Sequence, residues 1–440
     1  MKTSTWERSK QKQFDYRSRS PSGTDLYRLI YTYREEFEYR WPQLFEHKYG
    51  VLRAEVLKAF DAYLDCGILR HGCALACCEQ CSHYELIAFS CKARAVCSSC
   101  GAKRACIFAE NLHDNILLEQ DHAHQVFSIP KRLRIYFRFS RKRHKYLFWA
   151  AWHAYKTYVA RRLPQCRTAS VMSLHCAGEL LEFNPHLHCC TLLGGIDEHG
   201  VFHRLSDIDT AELEELFSEK LFSYLLDEGL ITEEDVESMK SWEHSGFSVF
   251  NGNPIESDDA DQRRFVGRYM MKPPISAERL SIDETGLEPT VVLEKELDDT
   301  VEQRRLSPLE FLAKLSLLVP DKWEQCTRHY GIYSCRTRGE EKKKQAQKEL
   351  QEKTPAQLQE NVQQETAPKP TSTWQICMKR IFEIDPLECK KCGGRMKIKS
   401  FVLNQNEIKR LTESLGLEDW RAPPPFSLAK GIQIDTSYAQ

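Results

Sequence analysis

Apolar residues recur at helical spacing through the first part of the chain. Residues 24–65, with the stretches "LYRLIYTYREEFEYRW" and "VLRAEVLKAFDAYLDCG" (the latter ending at residue 67), place an apolar side chain every three or four positions. Gly67 is the last residue of the second stretch, as expected where a helix ends. We therefore predict an N-terminal helical region.

The pattern changes after residue 110, where strand-like and helix-like stretches alternate. The sequence "AHQVFSIPKRL" is typical of a strand, residues 147–163 of a helix, and residues 168–195 of two strands joined around "AGELLEFNP". The acidic residues 207–243 predict two helices separated at "DEGLIT". The strand-like "GFSVF" then precedes the helix-like "DADQRRFVGRYMMK", which must end before Pro273.

These stretches predict an α+β fold, in which an antiparallel sheet follows a helical and cysteine-rich region. The predicted parts are residues 1–65 (helical), 66–110 (cysteine-rich), 125–340 (a mixed domain with an acidic helical insertion at about 205–245), 341–373 (a charged, Gln-rich flexible linker) and 374–440 (a C-terminal module with a single C-x-x-C).

Composition excludes few classes of protein, but charge is sorted along the chain. No run of 18 apolar residues and no secretory signal is present, so we expect a cytoplasmic protein without membrane contact. The net charge is −1, yet residues 131–146 hold eight Lys or Arg, no acid, and interleaved aromatic residues. Such a stretch is typical of a surface for nucleic acid, and equally of a solvated helical face.

Eighteen cysteines are many for a reducing compartment, which favours metal binding over disulfides. Cys78-x2-Cys81 and Cys97-x2-Cys100, fifteen residues apart, could close one tetrahedral zinc site, with Cys91 as a possible substitute. A closed four-thiolate site is structural because it leaves no open position. The later Cys389-x2-Cys392 is only half of a site.

The most specific chemistry lies in "NPHLHCC". His186 and His188 are separated by one residue on a predicted strand, so both side chains should point to the same face. A hairpin would bring His175 opposite them. Three neutral imidazoles with open positions suit a Lewis-acid metal site, although the same pattern also fits ordinary core or surface histidines.

Several motifs in order resemble one family. "FSCKARAVCSSCGAKR", "SIPKRLR", "NPHLH" followed by "LLGG", and "DPLECKKCGGRM" together resemble the transposases of the insertion sequence 91 family, over roughly residues 30–340 and into the C-terminal module. These enzymes belong to the HUH endonucleases, named for a His-hydrophobic-His motif. The resemblance implies that residues 125–340 form the HUH domain, preceded by a zinc-binding domain.

The resemblance also implies a mechanism. Family members nick and rejoin single-stranded DNA through a 5′-phosphotyrosine, in a rolling-circle-like route, and the motif resembling "FVGRYMMKPPIS" places the tyrosine at Tyr269. Many relatives carry a second tyrosine where this chain has Phe265, so it resembles the single-tyrosine branch. His186 and His188 would hold Mg²⁺ or Mn²⁺, with His175 as the third ligand and Gln262 as the alternative.

The expected partner is single-stranded DNA at the ends of the mobile element and at its target. Basic side chains should follow the backbone and aromatic rings should stack on bases; the candidates are Lys131, Arg132, Arg134, Tyr136, Phe137, Arg268 and Lys272. A homodimer would supply two nucleophiles. Two other functions fit the sequence: a plasmid or phage replication initiator or relaxase of the same chemistry, and a zinc-dependent nucleic-acid-binding protein without catalysis.

Overall fold

The structure is a computed structural model, and it describes residues 21–276, 279–296, 300–352, 387–418 and 422–426. The helices are α1 (Asp25–Leu44), α2 (Glu46–Tyr49), α3 (Ala54–Leu64), α4 (Ser98–Asn115), α5 (Arg134–Phe139), α6 (His144–Arg162), α7 (Thr210–Asp227), α8 (Glu233–Lys240), α9 (Ala260–Met270), α10 (Pro308–Ser316), α11 (Cys335–Glu352) and α12 (Gln405–Ser414). The strands are β1 (Cys73–Cys78), β2 (Tyr84–Ala88), β3 (His122–Ser128), β4 (Ala169–Ala177), β5 (Phe183–Leu192), β6 (Gly194–Ile196), β7 (Phe202–Arg204), β8 (Ser248–Ile255), β9 (Leu280–Asp283), β10 (Thr290–Glu296), β11 (Val301–Leu306), β12 (Thr327–Gly331) and β13 (Met396–Val402).

A five-stranded antiparallel sheet organises the centre of the molecule. Its strand order is β12-β4-β5-β3-β8, so β5, with its two histidines, is the middle strand. The β4–β5 hairpin pairs His175 directly with His186. The mixed helix and antiparallel sheet confirm the predicted α+β class.

Side chains alternate along each strand, so both faces of this sheet carry apolar residues, and helices cover both faces. On one face Leu187 and Cys189 of β5 belong to the main core, which also contains α6 and α7. On the other face Cys190 and Leu192 join a second core with Val266 and Met270 of α9. The histidines of β5 share this second face and therefore point towards α9.

Two smaller sheets complete the described part of the fold, besides the short β6–β7 pair. Strands β9, β10 and β11 form an antiparallel meander that the sequence pattern did not predict. Strands β1 and β2 form a hairpin in the cysteine-rich region, and β13 from the C-terminal module pairs with β1 on its other side. The C-terminal module thus packs against the cysteine-rich region.

The first part of the predicted flexible linker is helical. Residues 341–352 belong to α11, a helix that begins at Cys335. A run of Glu, Lys, Gln and Ala has good helix propensity even without an apolar face, so low hydrophobicity alone was a poor sign of a linker. The remainder, 353–373, lies outside the described residues. Among the described helices, none is both long and apolar enough to span a bilayer.

Candidate functional site

Three histidines converge on the sheet face that α9 covers. The ring centres of His175 and His188 are 4.4 Å apart, those of His186 and His188 are 4.9 Å apart, and one ligand nitrogen from each residue lies within 4.8 Å of the others. The pairing of β4 with β5 places them so. The structure therefore brings together the three histidines that the sequence nominated as metal ligands.

Hydrogen bonds to main-chain oxygens set the tautomers of two of these rings. His186 Nδ1 lies 2.7 Å from the carbonyl oxygen of Asn184, and His175 Nε2 lies 2.8 Å from that of Met270. A carbonyl oxygen only accepts, so each of these nitrogens donates its hydrogen. In the neutral rings, His186 Nε2 and His175 Nδ1 then keep free lone pairs, which a metal ligand requires.

The third ring, His188, has two possible arrangements. Its Nε2 lies 3.1 Å from His186 Nε2, and its Nδ1 lies 3.1 Å from Nε2 of His124. Without an ion, hydrogens can run from His124 through His188 to His186. With an ion on His188 Nε2, the His188–His124 bond must reverse, because Nδ1 of His188 then carries the hydrogen and His124 accepts it. The donor set fits a divalent cation in this second arrangement.

Burial keeps these rings neutral. Desolvation, together with a smaller effect of the nearby His186 ring, lowers the pKa of His175 to about 3. The pKa of His188 is well below its ordinary value, again mainly through burial, and burial also lowers the pKa of His186. A neutral imidazole is the form that binds metal, so the site needs no proton release from these groups at neutral pH.

Tyr269 reaches this cluster from α9. Its ring centre lies 5.1 Å from that of His188, with the two rings nearly perpendicular. Phe265, one turn earlier, stacks on Tyr269 at 6.2 Å. Burial raises the pKa of the Tyr269 phenol, and the carboxylate of Glu179 raises it further. The phenol therefore holds its proton at neutral pH.

Local contacts fix the position of α9. The Asp259 side chain caps its first turn by accepting from the backbone N–H of Gln262 at 2.8 Å. Near the other end, Gly267 lets the helix lie against α4, since a Cβ there would be 2.8 Å from the Cα of Ala109. The helix ends at Met270, just before the Pro273–Pro274 pair, as predicted.

Gln262 is less well placed than His175 to be the third ligand. It is buried in the first turn of α9, seven residues before Tyr269. Seven residues of α-helix rise about 10 Å. The hairpin geometry that places His175 opposite His186 therefore favours the histidine.

Sequence reasoning missed His124. It lies on β3, next to β5, with its ring stacked on His188 at 5.3 Å and edge-on to Tyr269 at 5.6 Å. Burial lowers its pKa to about 4. The alternation in "HAHQVF" was a usable signal, since it repeats the His-x-His pattern of β5.

The cysteines group differently from the prediction. The set Cys78, Cys81, Cys97 and Cys100 does not come together: Cys97 and Cys100 lie with Cys66 and Cys91, while Cys78 and Cys81 lie with Cys389 and Cys392. The reason is the β1–β2 hairpin. Its turn carries Cys78 and Cys81, and at a rise of about 3.4 Å per residue the turn lies roughly 17 Å from the open end of the hairpin. Cys66 and Cys91 flank that open end.

The first of these groups has the geometry of a structural zinc site. Cys66 Sγ lies 3.8 Å from Cys97 Sγ and 3.7 Å from Cys100 Sγ, and Cys91 Sγ lies 3.7 Å from Cys100 Sγ. Four thiolates at about 2.3 Å from a tetrahedral zinc would be about 3.8 Å apart. Backbone N–H groups of Cys91 and Cys100 also point at sulfur atoms of the group. Cys91 is thus a member of this set.

The structure buries some of the predicted DNA contacts and exposes others. Phe137 is fully buried in the core, so it cannot stack on a base, and that prediction is wrong. The short α5 turns this ring inward and leaves Phe139 half exposed instead. Arg132 is paired with Asp235 at 2.5 Å, whereas Lys131 is exposed. Arg134, Tyr136 and Arg268 are partly buried.

Basic residues also surround a pocket beside the histidines. Arg94 and Arg104 from the cysteine-rich region, and Lys272 just after α9, line it together with His175. The Lys272 Nζ lies 5.8 Å from the centre of the Tyr269 ring. The pocket thus joins the cysteine-rich region to the histidine cluster through a positively charged surface.

Comparisons with known proteins find two matching transposase family models and one similar transposase. Residues 36–129 match the family model "Transposase zinc-binding domain", and residues 170–342 match the model "Putative transposase". The chain is 26% identical over 377 residues to the transposase for insertion sequence element IS801 of Pseudomonas savastanoi pv. phaseolicola, an alignment that covers 81% of this chain and 86% of that protein. No solved structure matches the chain significantly.

Proposed function

Since the chain belongs to the insertion sequence 91 family of transposases, we propose that it cuts and rejoins single-stranded DNA at the ends of its element, with Tyr269 as the nucleophile. The observation that carries this proposal is the placement of Tyr269. Its ring lies 5.1 Å from His188, beside a cluster of three histidines able to hold an ion. A tyrosine that served only to pack α9 would not need a face lined with neutral imidazoles.

The proposed ligands of the catalytic ion are His175, His186 and His188. The main-chain oxygens and His124 would take the other ring hydrogens, which leaves one lone pair on each of these rings for the ion. Of the two ions expected, imidazole ligands suit Mn²⁺ better than the harder Mg²⁺. When bound, the ion would polarise the scissile phosphate and offset its developing negative charge.

The protein's own groups supply the nucleophile and its environment. Tyr269 Oη would form a bond to phosphorus while the bond from phosphorus to the 3′ oxygen breaks, giving a 5′-phosphotyrosine and a free 3′-hydroxyl. The phenol gives up its proton and the departing oxygen gains one. Because burial raises the pKa of Tyr269, its proton must leave as the attack proceeds. Attack by a 3′-hydroxyl on the phosphotyrosine reverses the reaction and joins strands.

The surface near Tyr269 is suited to an unpaired strand. Arg94, Arg104 and Lys272 line the pocket beside the cluster and could neutralise backbone phosphates. Elsewhere on the described surface, exposed rings such as Phe139, which is 52% exposed, could stack on bases. Each chain offers one tyrosine beside the histidines in the part that the structure describes. A second copy of the chain would supply the second nucleophile for a paired strand exchange.

A covalent-adduct assay tests the proposal. Purified protein is mixed with labelled single-stranded DNA from the element's ends and Mn²⁺, beside Tyr269→Phe and His186→Ala. Tyr39→Phe is the matched control, because the Tyr39 ring is 77% exposed on α1. We expect an SDS-stable band with the wild type and Tyr39→Phe only. A label on the 3′ side of the cut should remain with the protein, and a label on the 5′ side should be released.

Two outcomes would contradict the proposal. A band that persists in Tyr269→Phe would place the nucleophile elsewhere. Tight DNA binding without any adduct, over a series of end sequences, would favour a zinc-dependent nucleic-acid-binding protein without catalysis.

A further inference from the structure

We propose that Cys78, Cys81, Cys389 and Cys392 form a second structural zinc site, which joins the C-terminal module to the cysteine-rich region. Cys78 Sγ lies 3.5 Å from Cys392 Sγ, and Cys81 Sγ lies 3.6 Å from Cys389 Sγ. The four sulfur atoms all lie within 4.8 Å of one another. These separations are close to the ~3.8 Å expected between thiolates around one tetrahedral zinc.

Each half of this group is a two-residue knuckle, and neither half can close a site alone. The Cys78–Cys81 knuckle lies in the turn of the β1–β2 hairpin, and its residues are remote from the first cysteine group for the reason given above. The Cys389–Cys392 knuckle lies in a turn that ends at β13, where Gly393 has a φ of +72°. Two such turns facing each other supply the four ligands that a closed zinc site requires.

The protein chain around the two knuckles is built to hold them together. Strand β13 pairs with β1 from Cys73↔Val402 to Cys78↔Met396. The two knuckles touch directly, since a Cβ on Gly394 would lie 2.5 Å from the side-chain oxygen of Gln80. Two ion pairs, Lys390 with Glu85 and Lys397 with Glu79, cross the same boundary.

The apolar contacts at this boundary are few, which explains why a metal is needed. One small cluster contains Ala76 and Met396 together with Cys78 and Cys389, so two of its four buried members are ligands. A second contains Cys73, Leu86, Val402 and Ile408. Cores of this size rarely stabilise a module by themselves, and small modules commonly depend on a structural metal.

The site differs from the first one in what it connects. Cys81 and Cys389 are 308 residues apart in the chain, whereas Cys66 and Cys100 are 34 apart. The entropy cost of closing a loop grows only with the logarithm of its length, so even this long separation can be closed by a strong metal site. The consequence is that the cysteine-rich region completes its second site only after the C-terminal module has been synthesised and docked.

Exposure predicts an order of metal loss. Cys392 is exposed and Cys81 is half-buried, while three of the four thiols in the first group are buried. A chelator should therefore remove zinc from the second site first, and the release of zinc from the whole protein should show two kinetic phases of equal amplitude.

Zinc content of the full-length protein tests the proposal. We expect two zinc ions per chain in the wild type, one in Cys389→Ser/Cys392→Ser, and two in Cys335→Ser, an exposed cysteine outside both groups. One ion in both the wild type and the double variant would overturn the proposal. Loss of both ions in the double variant would also overturn it, because the two sites would then not be separate.

Amide hydrogen exchange tests the joining role independently of zinc counting. In the double variant, peptides covering 396–402 and 73–78 should exchange at least tenfold faster than in the wild type. Peptides covering 183–192, on the histidine strand, should be unchanged. Unchanged protection of 396–402 despite loss of one zinc would show that the metal does not hold the module in place.

Discussion

His124 provides the sharpest test of how the histidine cluster would hold its ion. It lies behind His188, with its Nε2 3.1 Å from His188 Nδ1, and it is not itself one of the three proposed ligands. If an ion sits on Nε2 of His188, the Nδ1 hydrogen must point at His124. His124→Ala would then leave that hydrogen buried without an acceptor, since His188 is only 6% exposed.

The expected loss of metal affinity can be estimated from the His188–His124 hydrogen bond alone. Removing an outer-shell partner of a metal-bound histidine typically weakens metal affinity by about 10- to 100-fold. At about 1.4 kcal/mol per tenfold change, this equals about 1.4–2.8 kcal/mol. His124→Gln keeps an acceptor oxygen, so it should recover part of the loss.

Calorimetric titration with Mn²⁺ measures the effect, with His199→Ala as the control because His199 is a surface residue whose side chain is 78% exposed. The zinc content of each variant should stay at the wild-type value, which separates loss of the histidine site from loss of fold. If His124→Ala binds Mn²⁺ as tightly as the wild type, the ion does not sit on His188 Nε2. The hydrogens would then run from His124 towards His186, as in the metal-free arrangement.

Two further predictions concern stability, measured by urea unfolding. Gly267→Ala should lower the free energy of unfolding by about 1–3 kcal/mol, because the added Cβ would lie 2.8 Å from a backbone atom of α4. Gly339→Ala, whose added Cβ would meet no heavy atom within 4 Å, should raise the free energy of unfolding by up to about 1 kcal/mol. Glu324→Gln should lower the free energy of unfolding by about 3–5 kcal/mol, because it leaves the Arg141 guanidinium, 7% exposed, without its carboxylate. Glu340→Gln removes an exposed ion pair with Arg336 and should change the free energy of unfolding by less than about 0.5 kcal/mol. The pKa of Glu324 is lowered to about 2, so its contribution is present above the unfolded-state pKa and is lost as pH falls towards 2. Equal effects of either pair of variants would contradict the reasoning.

The central sheet was predictable because its strands alternate clearly and its hairpin is short. His186 and His188 could be placed on one face from spacing alone, because side chains alternate along a strand, and a hairpin then predicts His175 opposite them. His124 was harder, because its strand is not adjacent to β5 in the sequence. Only the order of strands in the sheet brings β3 beside β5.

The β9–β11 meander escaped prediction for a physical reason. Strand β11, "VEQRRL", has only its two ends apolar, and just Leu306 is buried. Its strand conformation comes from pairing with β10, whose Val291 and Leu293 face the core. Pairing with a neighbour can impose a strand on a segment whose own pattern does not predict one.

The cysteine grouping shows most clearly what spacing can and cannot decide. Two C-x-x-C pairs fifteen residues apart satisfy the usual pattern for one site, and Cys66, which lies twelve residues before Cys78, gave no local signal. The deciding quantity is the length of the β1–β2 hairpin, which separates the two pairs by more than any four-thiolate site allows. Each pair must therefore find its partners elsewhere: Cys66 and Cys91 at the open end of the hairpin, and the C-terminal pair at its turn. In the sequence, Cys389-x2-Cys392 had no second pair beside it, while the cysteine-rich region held more cysteines than one zinc site needs. Both observations follow from the length of the hairpin, which divides the cysteines between two groups.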